Sequence, residues 1–181
     1  LSQYTITIDG TVVDTIYAGE TYQFPAATGD YAGVQYFKDV NGDTTYDPAD
    51  TITPEGNISV SSMFTIDIVD EDDVTKVLKT DDMARGATYN FPTATGTFDH
   101  VKDYKGIEGS SDTYDPEDTM SVTGNATFQV EYIYYNVYID GQPTGETVKE
   151  GGSYTTPTDV PEGTKFLDTA TQIEYNPGED S

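Results

Sequence analysis

The chain contains no cysteine and no tryptophan, one histidine, and only eight basic residues among 181. Each shortage closes a route. Without cysteine there is no disulfide staple, no thiolate cage for a metal and no thiol nucleophile. His100 is the only imidazole, so neither a histidine-rich transition-metal site nor a familiar catalytic triad can be assembled around it, and it reads as a structural or surface residue. Eight Lys and Arg face 33 Asp and Glu, a formal charge of -25. A field of that sign repels phosphate backbones and anionic lipid, which makes nucleic acid and membrane surfaces poor partners, and it draws cations. No apolar run approaches the roughly 20 residues of a membrane-spanning helix. The opening LSQYTITIDG reads as a strand rather than a leader segment.

What is present is aromatic and repetitive. Fifteen Tyr and seven Phe sit within an apolar fraction of 35%, so burial relies on rings, many with a polar tip, in cores that are small. Four markers recur in fixed order. YTITIDG at Tyr4 returns as FTIDIVD at Phe64 and YNVYIDG at Tyr135. GETYQFP (Gly19 to Pro25) returns as GATYNFP (Gly86 to Pro92) and GGSYTTP (Gly151 to Pro157). TYDPADTI (Thr45 to Ile52) returns as TYDPEDTM (Thr113 to Met120) and more weakly as EYNPGED from Glu174. GNISV at Gly56 returns as GNATF at Gly124. A period of 60 to 70 residues suits a very small domain, and it predicts three modules, 1–63, 64–134 and 135–181. The third stops before any equivalent of GNISV, so it is expected to be cut short and the least stable.

The local pattern is that of strands. In YTITI, Tyr4, Ile6 and Ile8 alternate with Thr5 and Thr7, the period-2 signature of a half-buried strand. Asp9-Gly10 supplies a turn and TVVDTIY runs back. The same connection is longer and acidic in the second module, VDEDDVTKV, where the run Asp70 to Asp73 reads as a solvated charge run. AATGDYAG is too short for more than one helical turn. Val34 to Val40 reads as a third strand, Asn41-Gly42 as a type I′ hairpin turn, and Asn57 to Phe64 as a fourth strand. The junctions NISVSSMFTIDIV and TFQVEYIYYNVYID lack the Pro, Gly and polar runs of flexible linkers. The expected architecture is therefore mainly β, with α+β as the alternative if each module keeps a short helix, arranged as stiffly joined modules in an elongated rod.

The sequence YTITIDG … GETYQFP … YFKDVNGDTTYDP … ITPEGNISVSSMF resembles the internalin B-repeat family, also called the Listeria–Bacteroides repeat, with the mucin-binding-like repeats of Gram-positive surface proteins as a rival. Phe37 stands where that family typically carries Trp. The resemblance implies small β-grasp-like modules in tandem on bacterial cell-surface or secreted proteins, serving as spacers or adhesive units without catalysis.

Candidate chemistry is sparse. Asp39, Asn41 and Asp43 supply oxygens at positions 1, 3 and 5 of a calcium-type loop, with Asp50 at position 12. The glycine sits at position 4 rather than 6, no helices flank the loop, Lys105 is read at the Asn41 position of the second module, and Ala170 and Thr171 fall there in the third. A polar hairpin is the favoured reading, with calcium as the one cofactor the pattern would take. In TYDPADTI, Tyr46 and Tyr114 are expected to enter the cores, Asp47-Pro48 and Asp115-Pro116 to make turns by bonding ahead, and Asp50 or Asp118 to cap them. Tyr31, Tyr36, Tyr104, Tyr132, Tyr134 and Tyr135 are candidate sugar-stacking platforms, with core packing favoured for each. Paired carboxylates of a glycosidase type carry no signal in so acidic a chain. A Lys–Asn isopeptide cross-link has no recognisable buried triplet behind it. The expectation is a non-enzymatic, extracellular, tandem-repeat spacer or adhesion stalk, or alternatively a module that binds a glycan or host glycoprotein with calcium assistance.

Overall fold

A computed structural model describes all 181 residues, Leu1–Ser181. The chain is mainly β and has no α-helix. The expected helical turn is a single 3-10 turn at Gly29–Tyr31 and again at Gly96–Phe98, and the third module has none.

The first module runs through β1 (Gln3–Ile8), β2 (Thr11–Tyr17), β3 (Tyr22–Gln23), β4 (Tyr36–Asp39), β5 (Thr45–Tyr46), β6 (Thr51–Ile52) and β7 (Ile58–Val69). β1 and β2 form a hairpin whose turn, Asp9-Gly10, has φ of 50° and 80°, the left-handed pair that a type I′ turn requires. β7 returns parallel to β1, with Ile6 opposite Ile58 and Ile8 opposite Val60, and pairs antiparallel with β4 on its other side. The sheet order is β2-β1-β7-β4-β5, and the small β3–β6 pair stands apart from it.

β7 does not stop at the end of this module. Its 12 residues continue into the hairpin partner of β8 (Val77–Ala84), with Phe64 opposite Met83 and Ile68 opposite Lys79. β9 (Thr88–Asn90), β10 (Val101–Glu108), β11 (Thr113–Tyr114), β12 (Thr119–Ser121) and β13 (Ala126–Tyr132) follow. β13 lies parallel to the second half of β7, Ala126 opposite Ile66 and Phe128 opposite Ile68. The order β8-β7-β13-β10-β11 repeats that of the first module position for position, with β9–β12 as the detached pair. The boundary expected between residues 63 and 64 falls inside a continuous strand, between two buried residues.

Each core is a ring cluster around the phenylalanine of the GxxYxFP marker. Phe24 stacks on Tyr46 at 4.6 Å and on Phe37 at 5.3 Å between ring centroids. Phe91 stacks on Tyr114 at 4.5 Å and meets Phe128 edge-on at 4.9 Å. Such pairs each add about 0.5–1.5 kcal/mol beyond the area they bury, which matters when the aliphatic core is thin. Ile6, Val60, Ile66, Ile68 and Val130 are among the fully buried side chains that pack on them from the sheet side.

The Tyr-Asp-Pro turns behind these rings are capped by Asp50 and Asp118 as expected, but not helped by their first aspartate. The Asp47 carboxylate does not bond ahead; the Asp50 Oδ2 reaches back to accept the Asp47 N–H at 2.9 Å, and Asp118 does the same for Asp115 at 2.8 Å. The reason lies in the residue between. Ala49 and Glu117 adopt φ of 67° and 73°, which swings the fourth residue back over the first.

Contacts divide the chain into Leu1–Glu131 and Tyr132–Ser181. The second unit holds β14 (Tyr134–Ile139), β15 (Gln142–Lys149), β16 (Phe166–Leu167) and β17 (Glu174–Tyr175). The junction before it is unlike the first: β13 and β14 are separate strands with Ile133 between them. β14–β15 repeats the β1–β2 hairpin with an Asp140-Gly141 turn at φ of 50° and 73°, and is irregular in the same region of the marker, where β15 carries two extra residues and β2 carries one. The hub phenylalanine is replaced by Thr156, whose hydroxyl donates to the Asn176 carbonyl at 2.7 Å and which is the unit's one fully buried side chain.

Candidate functional site

The predicted cation hairpin is a closed polar turn. Asp39 ends β4, and its Oδ1 accepts the Asn41 N–H at 2.7 Å. Asp39 N–H donates to the Thr44 carbonyl at 2.9 Å, closing a loop over 40–44. Neither Asn41 nor Gly42 has positive φ, so the expected type I′ turn is absent; the Asp39 side chain bends the backbone instead. Asp43 is fully exposed, with its Oδ1 3.7 Å from Lys38 Nζ, and Asp50 is committed to the turn at Asp47. Asp39 Oδ1 thus serves the hairpin's own backbone, and nowhere does the chain gather three His, Asp or Glu residues that could hold a metal.

The strand register also corrects the position given to Lys105. Lys105 lies opposite Thr113 as Lys38 lies opposite Thr45, so it is the counterpart of Lys38, and Glu108 is the counterpart of Asn41. In the third module Phe166 opposite Tyr175 matches Phe37 opposite Tyr46, which makes Asp168 the counterpart of Asp39. Asp168 Oδ1 accepts N–H bonds from Ala170 at 2.8 Å and Thr171 at 3.2 Å, and the bond from Ala170 leads in holding its carboxyl below the usual carboxylate range. The first and third modules thus share an aspartate that folds its own hairpin, and the same register puts Gly106 at this place in the second.

A recess of about 520 Å³ opens where the two halves of the first unit meet. Gln35, Thr65, Asp67, Glu108, Asn125 and Thr127 line it. Asn125 is its fixed point: its Oδ1 accepts the Thr65 N–H at 2.8 Å and its Nδ2 donates to the Gly33 carbonyl at 2.7 Å. Asn57 accepts the Thr5 N–H at 2.9 Å in the equivalent place. Gly109, with φ of 70°, presses its backbone against this asparagine so closely that a Cβ would stand 2.0 Å from the Asn125 carbonyl oxygen. Sequence reasoning missed Asn57 and Asn125, although the repeated Gly-Asn ahead of each closing strand was the available signal. The lining offers two carboxylates and neutral polar groups, an arrangement that hydrates and attracts cations but presents no nucleophile beside a base.

Among the tyrosines, Tyr104 is fully buried and donates to the Pro92 carbonyl at 3.0 Å, so it is a core residue and no platform. Tyr31 packs edge-on against Phe37, and the Tyr36 hydroxyl donates to Asp82 at 2.9 Å. Tyr132 lies under Lys149, with Nζ 3.1 Å from the ring centre. Tyr134 and Tyr135 stay largely exposed, as does Tyr138, which sequence reasoning did not single out.

Two further clusters deserve chemical scrutiny. Asp103 on β10 is nearly buried, its Oδ1 has no hydrogen-bond partner, and Lys102 Nζ stands 3.8 Å from its Oδ2. Loss of solvation, followed by its bond to and repulsion from Glu131, pushes its pKa up and favours the neutral acid. In the third module Lys165 Nζ touches Asn176 Oδ1, and Asn176 Nδ2 donates to Glu179 Oε1 at 2.8 Å, the residue types of an isopeptide link. All three are exposed, and N–H bonds from Asn176 hold Glu179 ionised, whereas amide exchange needs a neutral amine and a proton donor. No helix is long and apolar enough to cross a membrane. No family model, curated protein or solved structure matches the chain.

Proposed function

We propose that the chain is a non-enzymatic structural region of an extracellular or cell-surface bacterial protein, a stiff acidic spacer built from tandem β-grasp-like modules. One observation carries this reading: β7 is the closing strand of one module and the opening strand of the next, so the pair shares a backbone ladder instead of a linker. A joint of that kind resists bending because any hinge must break sheet hydrogen bonds. The side chains of Asn125 and Arg85 add to it, the first reaching Gly33, the second reaching Asp9 at 3.1 Å and the Asp30 carbonyl at 2.6 Å. The charge of -25 serves solubility and keeps such surfaces apart.

Calorimetry on a Leu1–Glu131 fragment tests the shared joint. A single cooperative transition is expected; two transitions, one per module, would overturn the stiff-spacer reading. Small-angle scattering of the whole chain tests the rod, which a compact globule would exclude.

A second reading is favoured by the exposed Tyr134, Tyr135 and Tyr138, which suit a glycan or host glycoprotein. Clear signals on a glycan array that depend on calcium would move the assignment to that reading.

A further inference from the structure

The β1–β2 hairpin and the β14–β15 hairpin are the same object in two settings. Their registers match next to the turn, Ile8 opposite Thr11 as Ile139 is opposite Gln142 and Thr7 opposite Val12 as Tyr138 is opposite Pro143, with the same Asp-Gly turn; farther out β15 bulges by two residues where β2 bulges by one. In the first setting β7 covers the free edge of β1; in the second, β14 pairs with β15 alone. The difference is visible in burial. Ile6 and Ile8 are fully buried, while their counterparts Val137 and Ile139 are only half-buried.

The occupied setting shows what the open edge is built to hold. Three anchors fasten β7 to the β1 hairpin. Asn57 Oδ1 takes the Thr5 N–H at 2.9 Å, at the head of the strand. The Val60 carbonyl takes the Asp9 N–H at 3.0 Å. The Asp9 carboxylate then takes both the N–H and the hydroxyl of Ser62, each at 2.7 Å. The counterparts of Thr5 and Asp9 in the second hairpin are Asn136 and Asp140. Asp140 therefore offers a carboxylate where the fifth residue after a strand-heading Asn would arrive.

We propose that the open edge of β14 is a docking site for an extended polypeptide segment that adds as a parallel strand, headed by Gly-Asn, with alternating apolar residues and a serine five places after the Asn. The occupant is defined by its hydrogen bonds: a side-chain acceptor for Asn136 N–H, main-chain pairing along β14, and a serine N–H and hydroxyl for Asp140. The apolar residues of the incoming strand cover Val137 and Ile139. Of the two closing strands in the chain, Gly56–Met63 (GNISVSSM) has this chemistry in full, while Gly124–Glu131 (GNATFQVE) places Val130 where the serine is required.

The test is amide hydrogen exchange on the full chain, with the synthetic peptide GNISVSSM titrated in and affinity taken from calorimetry. Protection of the Asn136, Tyr138 and Asp140 amides is expected. Replacing the peptide asparagine by alanine should weaken binding by about fivefold, the equivalent of one hydrogen bond. GNATFQVE should bind several-fold more weakly than GNISVSSM. Asp140→Gly, which keeps the left-handed turn and removes the carboxylate, should abolish that preference between peptides. Because the peptide variants leave the protein untouched, a folding defect in the Asp140 variant cannot rescue the idea. No protection at saturating peptide, equal binding of a scrambled peptide, or concentration-dependent protection of the same amides without peptide would each overturn it, the last by assigning the edge to a second copy.

Discussion

The residue between proline and the returning acid in each Tyr-Asp-Pro turn should be a site of stored strain. Ala49 and Glu117 sit at φ of 67° and 73°, and the third turn places Gly178 at φ 81° in the same position. An L-residue in that region costs about 1–2 kcal/mol, and glycine gives back about 0.5–1 kcal/mol in unfolded-chain entropy. Ala49→Gly and Glu117→Gly should therefore each stabilise by about 0.5–1 kcal/mol. The bonds holding the turns, from Ala49 N–H to Pro25 at 3.0 Å and from Glu117 N–H to Phe91 at 3.3 Å, are main-chain and survive both changes. The two turns lie in different modules, so the effects should add to about 1–2 kcal/mol. For a cooperative unit the size of Leu1–Glu131 that is a rise of about 4–8 °C in Tm by scanning calorimetry. Glu117→Gln separates strain from charge, because it removes one negative charge and keeps the strained conformation; it should stay within about 0.5 kcal/mol of the parent. The converse, Gly178→Ala, should destabilise the second unit, since a Cβ there also meets Thr158 Cγ2 at 3.0 Å. A double glycine variant that melts at or below the parent temperature would refute the reasoning.

Other outcomes follow from the same geometry. Asn125→Ala removes bonds of 2.8 and 2.7 Å and should cost about 2 kcal/mol in urea unfolding, against about 1 kcal/mol for Asn57→Ala, which loses one. Gly109→Ala drives a Cβ to 2.0 Å from the Asn125 carbonyl oxygen at a φ of 70° and should cost about 3 kcal/mol or more. Asp103 holds its proton to higher pH in the folded chain than in the unfolded one, so its burial costs stability in full above the folded pKa, and that cost is relieved as pH falls through it. Asp103→Asn should accordingly be more stable than the parent at neutral pH, with the gap closing as the buffer is taken toward the ordinary aspartate range; a gap that widens on acidification would reverse the assignment. Asp70, whose carboxyl is lowered chiefly by the Asp72 N–H, contributes with the opposite sign and loses its share only on stronger acidification.

What could be read from the chain was whatever is local. The alternation in YTITI placed Ile6 and Ile8 in the core, and Asp9-Gly10 announced its turn because no neighbour alters a two-residue loop. Asn41-Gly42 carries an equally strong local signal and did not deliver it, since Asp39, two residues upstream, supplies the bend first. The parallel pairing of β1 with β7 was not legible, because partners 52 residues apart leave no short-range mark. The roles of Asn57, Asn125 and Arg85 were hidden for the same reason. Misplacing Lys105 had a different origin: the loop before β11 differs in composition from the loop before β5, and only the pairing of Tyr104 with Tyr114 aligns them. At the recess, the acids were visible in the sequence while the geometry that aims Asp67 and Glu108 into one space depends on where two modules meet.

A strand that belongs to two modules has a reading frame. Side chains alternate between faces with a period of two, so the spacing from Asn57 to Phe64 decides which face of the second module points inward. Lengthening that stretch by one residue would leave both halves of β7 paired yet turn Ile66 and Ile68 outward, inverting the second core while the first stayed intact. The next junction illustrates the rule from the other side. Ten residues separate Asn125 from Tyr135 where seven separate Asn57 from Phe64, an odd change in frame, and there the strand breaks at Ile133. Insertions in this architecture are thus tolerated by parity before they are tolerated by length.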